Sequence, residues 1–236
     1  MHRIFLCLLA LALYSCNDQG PVLGSWYLTH TGTPADDYMA GAISDDNPYY
    51  LAAGTTIAGD AGNILLAHIS ADPGYLPSYY QIERPGLQEA RSIIARGDAG
   101  LILGYTDPEE DGKTDALALQ ENGISEPLWE KTFPFPGSSR FNHGIGLLGD
   151  EAILVGYTKD TTSGFDDMVA VRINSSGDEI WRRTYGGASR DAIDRIIQIG
   201  ADEFHAALHR TPQDPWRQRG CGLLLHPATV RSGIHH

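Results

Sequence analysis

The sequence predicts an all-β fold assembled from copies of one small four-stranded antiparallel sheet. Three observations carry that reading. Tyr50-Leu51-Ala52-Ala53-Gly54-Thr55-Thr56 aligns with Leu101-Ile102-Leu103-Gly104-Tyr105-Thr106 and with Ile153-Leu154-Val155-Gly156-Tyr157-Thr158, so the glycines at 54, 104 and 156 stand 50 and 52 residues apart. After each segment a polar loop leads to an Asx residue that opens an apolar run. These runs are Asn63-Ile64-Leu65-Leu66-Ala67, Asp115-Ala116-Leu117-Ala118-Leu119 and Asp167-Met168-Val169-Ala170-Val171, at two steps of 52. The apolar stretches are only five to seven residues long, rich in Ile, Leu and Val, and bounded by turn residues, which suits buried strands better than helices. Several marks that keep one spacing near fifty residues signal a repeat architecture.

The second unit shows the elements most clearly. Strands are expected over residues 91–96, 101–106, 115–120 and 128–133, separated by Gly97-Asp98, Asp107-Pro108 and Asn122-Gly123, residues that supply the φ angles of tight turns. A Trp-led strand closes the unit, Trp129-Glu130-Lys131-Thr132-Phe133, and recurs as Trp181-Arg182-Arg183-Thr184-Tyr185. Tyr79-Tyr80-Gln81-Ile82 is the weaker first copy. Because Trp129 and Trp181 repeat in register, they are expected to pack between sheets. One four-stranded sheet cannot bury both its faces, so it must stack against copies of itself, and radial stacking of such sheets is the β-propeller. A fourth unit begins at Asp191, with strands expected over 192–199 and 203–209 and a third over 222–226. Between the last two, Thr211-Pro212-Gln213-Asp214-Pro215-Trp216-Arg217 abandons the pattern. Trp26-Tyr27-Leu28-Thr29-His30-Thr31-Gly32 matches a closing strand and would complete that last sheet. Four closed blades and a larger propeller of about six to eight, truncated near residue 210, both fit this pattern.

The repeat resembles the Gly/Asp/Trp β-propeller repeat of exported and lipid-anchored bacterial proteins, and Tyr185-Gly186-Gly187-Ala188-Ser189-Arg190-Asp191 carries its characteristic opening. The resemblance covers residues 25–209. It implies a β-propeller of four-stranded antiparallel blades and says almost nothing about activity. Residues 210–236 form an atypical C-terminal segment, expected as a last strand or a disordered tail.

The N-terminus reads as an export signal. Met1-His2-Arg3 is positively charged, and residues 4–14 form an apolar stretch too short to span a bilayer. Leu13-Tyr14-Ser15-Cys16 resembles the bacterial lipobox. That resemblance implies that the Cys16 thiol is alkylated by a diacylglyceryl group and that the chain is cut before it. Residues 1–15 are then a signal peptide and 16–24 an anchor and short linker. The other reading is an ordinary signal peptide in which Cys16 falls by chance. With Cys7 in the signal and Cys16 acylated, Cys221 is the remaining cysteine and reads as a small packing residue. The expected location is the cell envelope, on the outer membrane of a Gram-negative bacterium, with the membrane as a partner through the lipid anchor. The 17 Lys and Arg against 30 Asp and Glu leave a formal charge of −13, which disfavours nucleic acid as a partner.

Candidate functional residues are few. Asp37, Glu89, Asn142 and Asp191 fall just before the expected first strand of each unit. There they would ring one mouth of a propeller channel and favour Ca²⁺, a cationic ligand or a polyhydroxylated one. Alternatively each accepts hydrogen bonds from its own turn, as a clasp repeated in every blade. The loop Asp107-Pro108-Glu109-Glu110-Asp111-Gly112-Lys113-Thr114-Asp115 is similar to a calcium loop, with Asp107, Glu109, Asp111 and Asp115 as weak metal candidates. Position 12 is Ala118 rather than the closing Glu, so a solvated hairpin connection is the competing reading. Nucleophile-elbow, zincin, phosphate-loop and dinucleotide motifs are absent from the sequence. The expected function is a binding module for protein or glycan, without catalytic residues or cofactor. Two alternatives are an extracellular polysaccharide hydrolase or lyase using carboxylates at the channel mouth, and a truncated fragment without independent function.

Overall fold

The computed structural model describes residues 36–44, 49–58, 61–70, 72, 75, 77–96, 99–121, 126–186, 190–200, 203–210 and 222–225. The signal peptide, Cys16, the linker, the Trp26 segment, Cys221 and the remaining C-terminal residues lie outside them. Every regular element among the described residues is a strand, and the protein is all-β. The strands are β1 (Asp36–Ser44), β2 (Tyr49–Ala58), β3 (Ala61–Ser70), β4 (Ser78–Ile82), β5 (Leu87–Arg96), β6 (Ala99–Asp107), β7 (Asp115–Glu121), β8 (Trp129–Phe133), β9 (Ser139–Gly146), β10 (Ala152–Lys159), β11 (Asp166–Ile173), β12 (Glu179–Tyr185), β13 (Asp191–Gly200), β14 (Glu203–Arg210) and β15 (Gly222–Leu225). They form antiparallel meanders β1–β4, β5–β8, β9–β12 and β13–β15, and one parallel bridge, Gly62 to Leu87, joins the first two. β15 is the strand expected near residue 222, and it pairs with β14.

Strand alternation sends neighbouring residues to opposite faces, and here each face meets a different sheet. On β6, Ile102 packs with Ala53, Ile64 and Leu66 of the first sheet, whereas Leu101 and Leu103 pack with Phe141 and Leu154 of the third. On β10, Ala152 and Leu154 face the second sheet, and Ile153 and Val155 face Ile193 and Phe204 of the fourth. Phe133 of β8 meets Phe141 of β9 edge to face, with centroids 5.2 Å apart. Each fully buried Leu or Ile contributes roughly 1.5–3 kcal/mol, so the stacking of sheets supplies most of the core. Trp129 and Trp181 pack at the margins of two of these inter-sheet cores, as their register predicts.

The repeated glycines have a cause that the sequence conceals. The first strand of every sheet carries a β-bulge against its second strand, and the residues skipped are Ala40, Arg91, Asn142 and Asp194. A bulge bends the strand and raises its twist. Just before the bulge, the first strand presses its carbonyl against the second. A Cβ at Gly104 would lie 1.8 Å from Glu89 O, and one at Gly156 would lie 2.0 Å from Arg140 O. Glycine therefore recurs because the backbone leaves no room. In the fourth sheet Leu208 holds the matching place, opposite Ile193.

A buried arginine fastens the second sheet to the third. Arg96, 4% exposed, donates from Nε to Asp150 O at 2.8 Å and from Nη2 to Asn174 O at 2.6 Å. Its Nη1 reaches Gln120 Oε1 at 3.0 Å, and its guanidinium lies over the Trp129 ring. Trp129 in turn rests on Gly177, where φ is 78° and a Cβ would approach Trp129 to 2.6 Å. The matching positions in the next two units are Leu147, just past β9 and packed against the core between the third and fourth sheets, and Ile199 of β13, 49% exposed. Ile197 is 58% exposed where Ile94 is buried, so the far face of the fourth sheet exposes apolar side chains.

Gly104→Ala and Gly156→Ala should each destabilise by about 2–4 kcal/mol through backbone clash. Denaturant unfolding at constant m-value checks this, and a loss below about 0.5 kcal/mol would mean that the bulges are not as tight as described.

Candidate functional site

The four residues expected to form a ring are distributed differently from the sequence reading. They lie inside β1, β5, β9 and β13 rather than ahead of them, because each first strand carries polar residues within its first three positions that an apolar pattern cannot detect. They also hold unlike registers. Asn142 is itself a bulge residue, Glu89 stands two residues ahead of its bulge, and Asp37 and Asp191 three ahead of theirs. Asp191 is buried at a sheet interface, whereas Glu89 and Asn142 are partly exposed. For Asp37 the strand register gives its place in the backbone.

Glu89 and Asn142 belong to two groups of polar side chains on neighbouring first strands, together a row. The first strands of successive sheets lie beside one another, β1 by β5, β5 by β9 and β9 by β13. Glu89 Oε1 accepts from Arg91 Nη1 at 2.7 Å, and Glu89 Oε2 accepts from the Tyr105 hydroxyl. Arg140 Nε donates to Asn142 Oδ1 at 3.1 Å, and its guanidinium lies 4.7 Å from the centre of the Tyr157 ring. Asn142 Nδ2 reaches Ile193 O of β13 at 2.9 Å. Burial, together with the Glu89 hydrogen bond and charge, pushes the Tyr105 phenol well above its ordinary pKa, against the opposing pull of Arg140 and Arg91. The phenol is therefore a neutral hydrogen-bonding group at physiological pH. Beside the row, burial and then the charge of Arg195 hold the His143 imidazole below its usual pKa, so it is neutral at pH 7.

Two carboxylates of the calcium-like loop turn onto its own backbone. Asp107 accepts from the amides of Asp111 and Gly112 at 3.2 and 2.9 Å, and Asp111 Oδ1 accepts from Lys113 N at 2.8 Å. Glu109 is exposed, and Asp115 opens β7. Asp160 of the next unit closes its loop in the same way, taking Thr162 N at 2.9 Å and Ser163 N at 3.1 Å. Those amide bonds hold its carboxyl below the ordinary range. Among the described residues no three His, Cys, Asp or Glu side chains converge as a metal site would require.

Acids do meet at the rim between the third and fourth sheets. Between the second and third sheets, Ser139 Oγ accepts from Ala116 N at 3.0 Å, and Ser139 N donates to Thr114 O at 2.7 Å. At the next interface Asp191 takes the place of Ser139, and Asp167 that of Asp115. Burial raises the pKa of Asp167, helped by the negative charges of Asp160, Asp191 and Asp166.

Tyr105, Arg140 and Tyr157 are not among the acid and amide side chains that the sequence singles out. Their signal was present, since a tyrosine directly follows the bulge glycine in two units. Compared with known proteins, the chain matches no family model and no curated sequence.

A raised carboxyl pKa means that the folded state opposes ionisation, so this stabilising term is present below the unfolded pKa and lost as pH rises. Asp167→Asn, which places the residue found at Asn63, should therefore stabilise at pH 7. The gain should be about 0.5 kcal/mol, small because solvent screens a partly buried group. Urea unfolding at pH 7 and pH 4 should show it shrinking with acidification, and an equal gain at both would disconnect it from charge.

Proposed function

We propose that the chain is a lipid-anchored β-propeller of the bacterial cell envelope, held at the outer membrane through Cys16, that binds a protein or glycan along its first strands. Several features support this reading. Sheets that bury both faces against neighbours, with first strands side by side, are what radial stacking requires. Cys16 follows a short apolar stretch in a lipobox-like setting, and acyl chains would tether a strongly acidic domain that stays soluble.

The observation that carries the binding role is the row Arg91, Glu89, Tyr105, Arg140, Tyr157 and Asn142. These residues are partly solvent-accessible, hydrogen-bonded and aromatic, which suits recognition of hydroxyl and amide groups. They also break the repeat. Two residues before the bulge stand Glu89, Arg140 and Ala192, and at the bulge itself Arg91, Asn142 and Asp194. A structural clasp recurs with the fold, as the bulge glycines do, whereas a ligand site is specific to its place.

The test pairs location with binding. Full-length chain expressed in a Gram-negative host should incorporate labelled acyl chains and sediment with membranes, and Cys16→Ser should lose both. On glycan and envelope-protein arrays, the ligand retained by wild type should be lost with Tyr105→Phe combined with Glu89→Gln, and kept with Lys131→Ala on an outer strand. Unlabelled wild type would overturn the anchor. Equal retention by the row variant would overturn the binding surface.

A further inference from the structure

We propose that Arg140 is the carboxylate-binding residue of the first-strand row, and that the ligand it takes is an acidic sugar of the uronate class. This rests on the binding-module reading and makes it more specific, choosing glycan over protein.

The argument begins with how arginines are used in an acid-rich chain. Of the partly buried arginines described, Arg84 pairs with Glu130 at 3.1 Å, Arg172 Nε with Glu151 at 2.6 Å, and Arg182 Nε with Glu179 at 2.8 Å. The buried Arg96 is held by backbone carbonyls and Gln120. Arg140 is the exception. Its Nε is held by Asn142 and its face by Tyr157, yet no described carboxylate lies within ion-pair distance, and its Nη1 and Nη2 donate to no described residue. With 30 acids in the sequence an internal partner would be easy to supply. A partly desolvated guanidinium without a counter-charge is costly unless something else satisfies it.

The two contacts that Arg140 does make fix its plane and leave its forked edge free. That edge matches the two oxygens of a carboxylate in a bidentate pair, and a guanidinium already immobilised loses little entropy on pairing. The surroundings select among anions. Glu89 sits in the same row and the whole chain is acidic, so a doubly charged phosphate is repelled more strongly than a single carboxylate. Elsewhere in the row, Glu89 keeps lone pairs beyond those used by Arg91 and Tyr105, and the Tyr105 oxygen, donating to Glu89, still accepts. Hydroxyl groups of the ligand would use both. A carboxylate bordered by hydroxyls on a ring is a uronate.

Glucuronate and galacturonate would be titrated into the full-length chain by calorimetry. Glucose and galactose serve as the neutral counterparts, sulfate as a plain divalent anion, and a Glu-rich peptide as a protein-type carboxylate. At least one uronate should bind ten-fold or more tightly than its neutral sugar and more tightly than sulfate. Arg140→Lys, which keeps the charge but loses the fork, should weaken it at least ten-fold while cooperative unfolding is retained. Tyr157→Leu, which removes the stacking ring, should weaken it too. Uronate binding unaffected by Arg140→Lys, or no stronger than that of the neutral sugar or sulfate, overturns the proposal. A neutral sugar lost with Tyr105→Phe but indifferent to Arg140 would overturn the carboxylate assignment and keep the binding module. Preference for the peptide would overturn the sugar assignment. Failure of every probe on both variants and wild type would overturn the proposal, with the array screen left to judge the module itself.

Discussion

A β-sheet whose two faces are both apolar has no stable existence alone, and that constraint organises this molecule. Adjacent residues on one strand serve different cores: Ile102 belongs with the first sheet while Leu101 and Leu103 belong with the third. The same division recurs on β7, β10 and β11. The strands are therefore near-continuous apolar runs, and removing any sheet would strip a face from its neighbour. The exposed Ile197 and Ile199 mark the far side of the fourth sheet as a face of the same kind, without a described sheet against it.

That stacking has a geometric consequence on the first strands. Neighbouring first strands approach one another, and each is bent by a bulge at the same stage of the repeat. Bulges re-aim side chains and interrupt pairing. The residues around them, Glu89, Arg91, Arg140 and Asn142, escape the demand for apolarity that governs the rest of the strand. The architecture thus frees a line of positions for chemistry, and at those positions the units differ.

The sequence displayed its repeat openly because inter-sheet packing needs apolar strands at a fixed interval. The second-unit strands expected over 101–106, 115–120 and 128–133 correspond closely to β6, β7 and β8. The first strand was expected from residue 91 but begins at Leu87, since Gln88 and Glu89 lie in a ladder without looking like strand residues. That offset puts the candidate residue Glu89 inside a strand rather than ahead of it. The bulge itself was unreadable, because its imprint is an absence of side chain at Gly104 and Gly156, and many causes produce a glycine. Arg140 was equally hidden. What distinguishes it is the partner it lacks, and that becomes visible only when every neighbouring acid has been assigned.

Hydrogen exchange followed strand by strand tests most directly whether sheets sandwiched on both faces form the framework. The amides of β6, β7, β10 and β11, enclosed by two cores, should exchange only through global unfolding, while those of β13 and β14 open earlier through a smaller, local event. Uniform protection across all these strands, or faster exchange in β6 and β10 than in β14, would contradict the account.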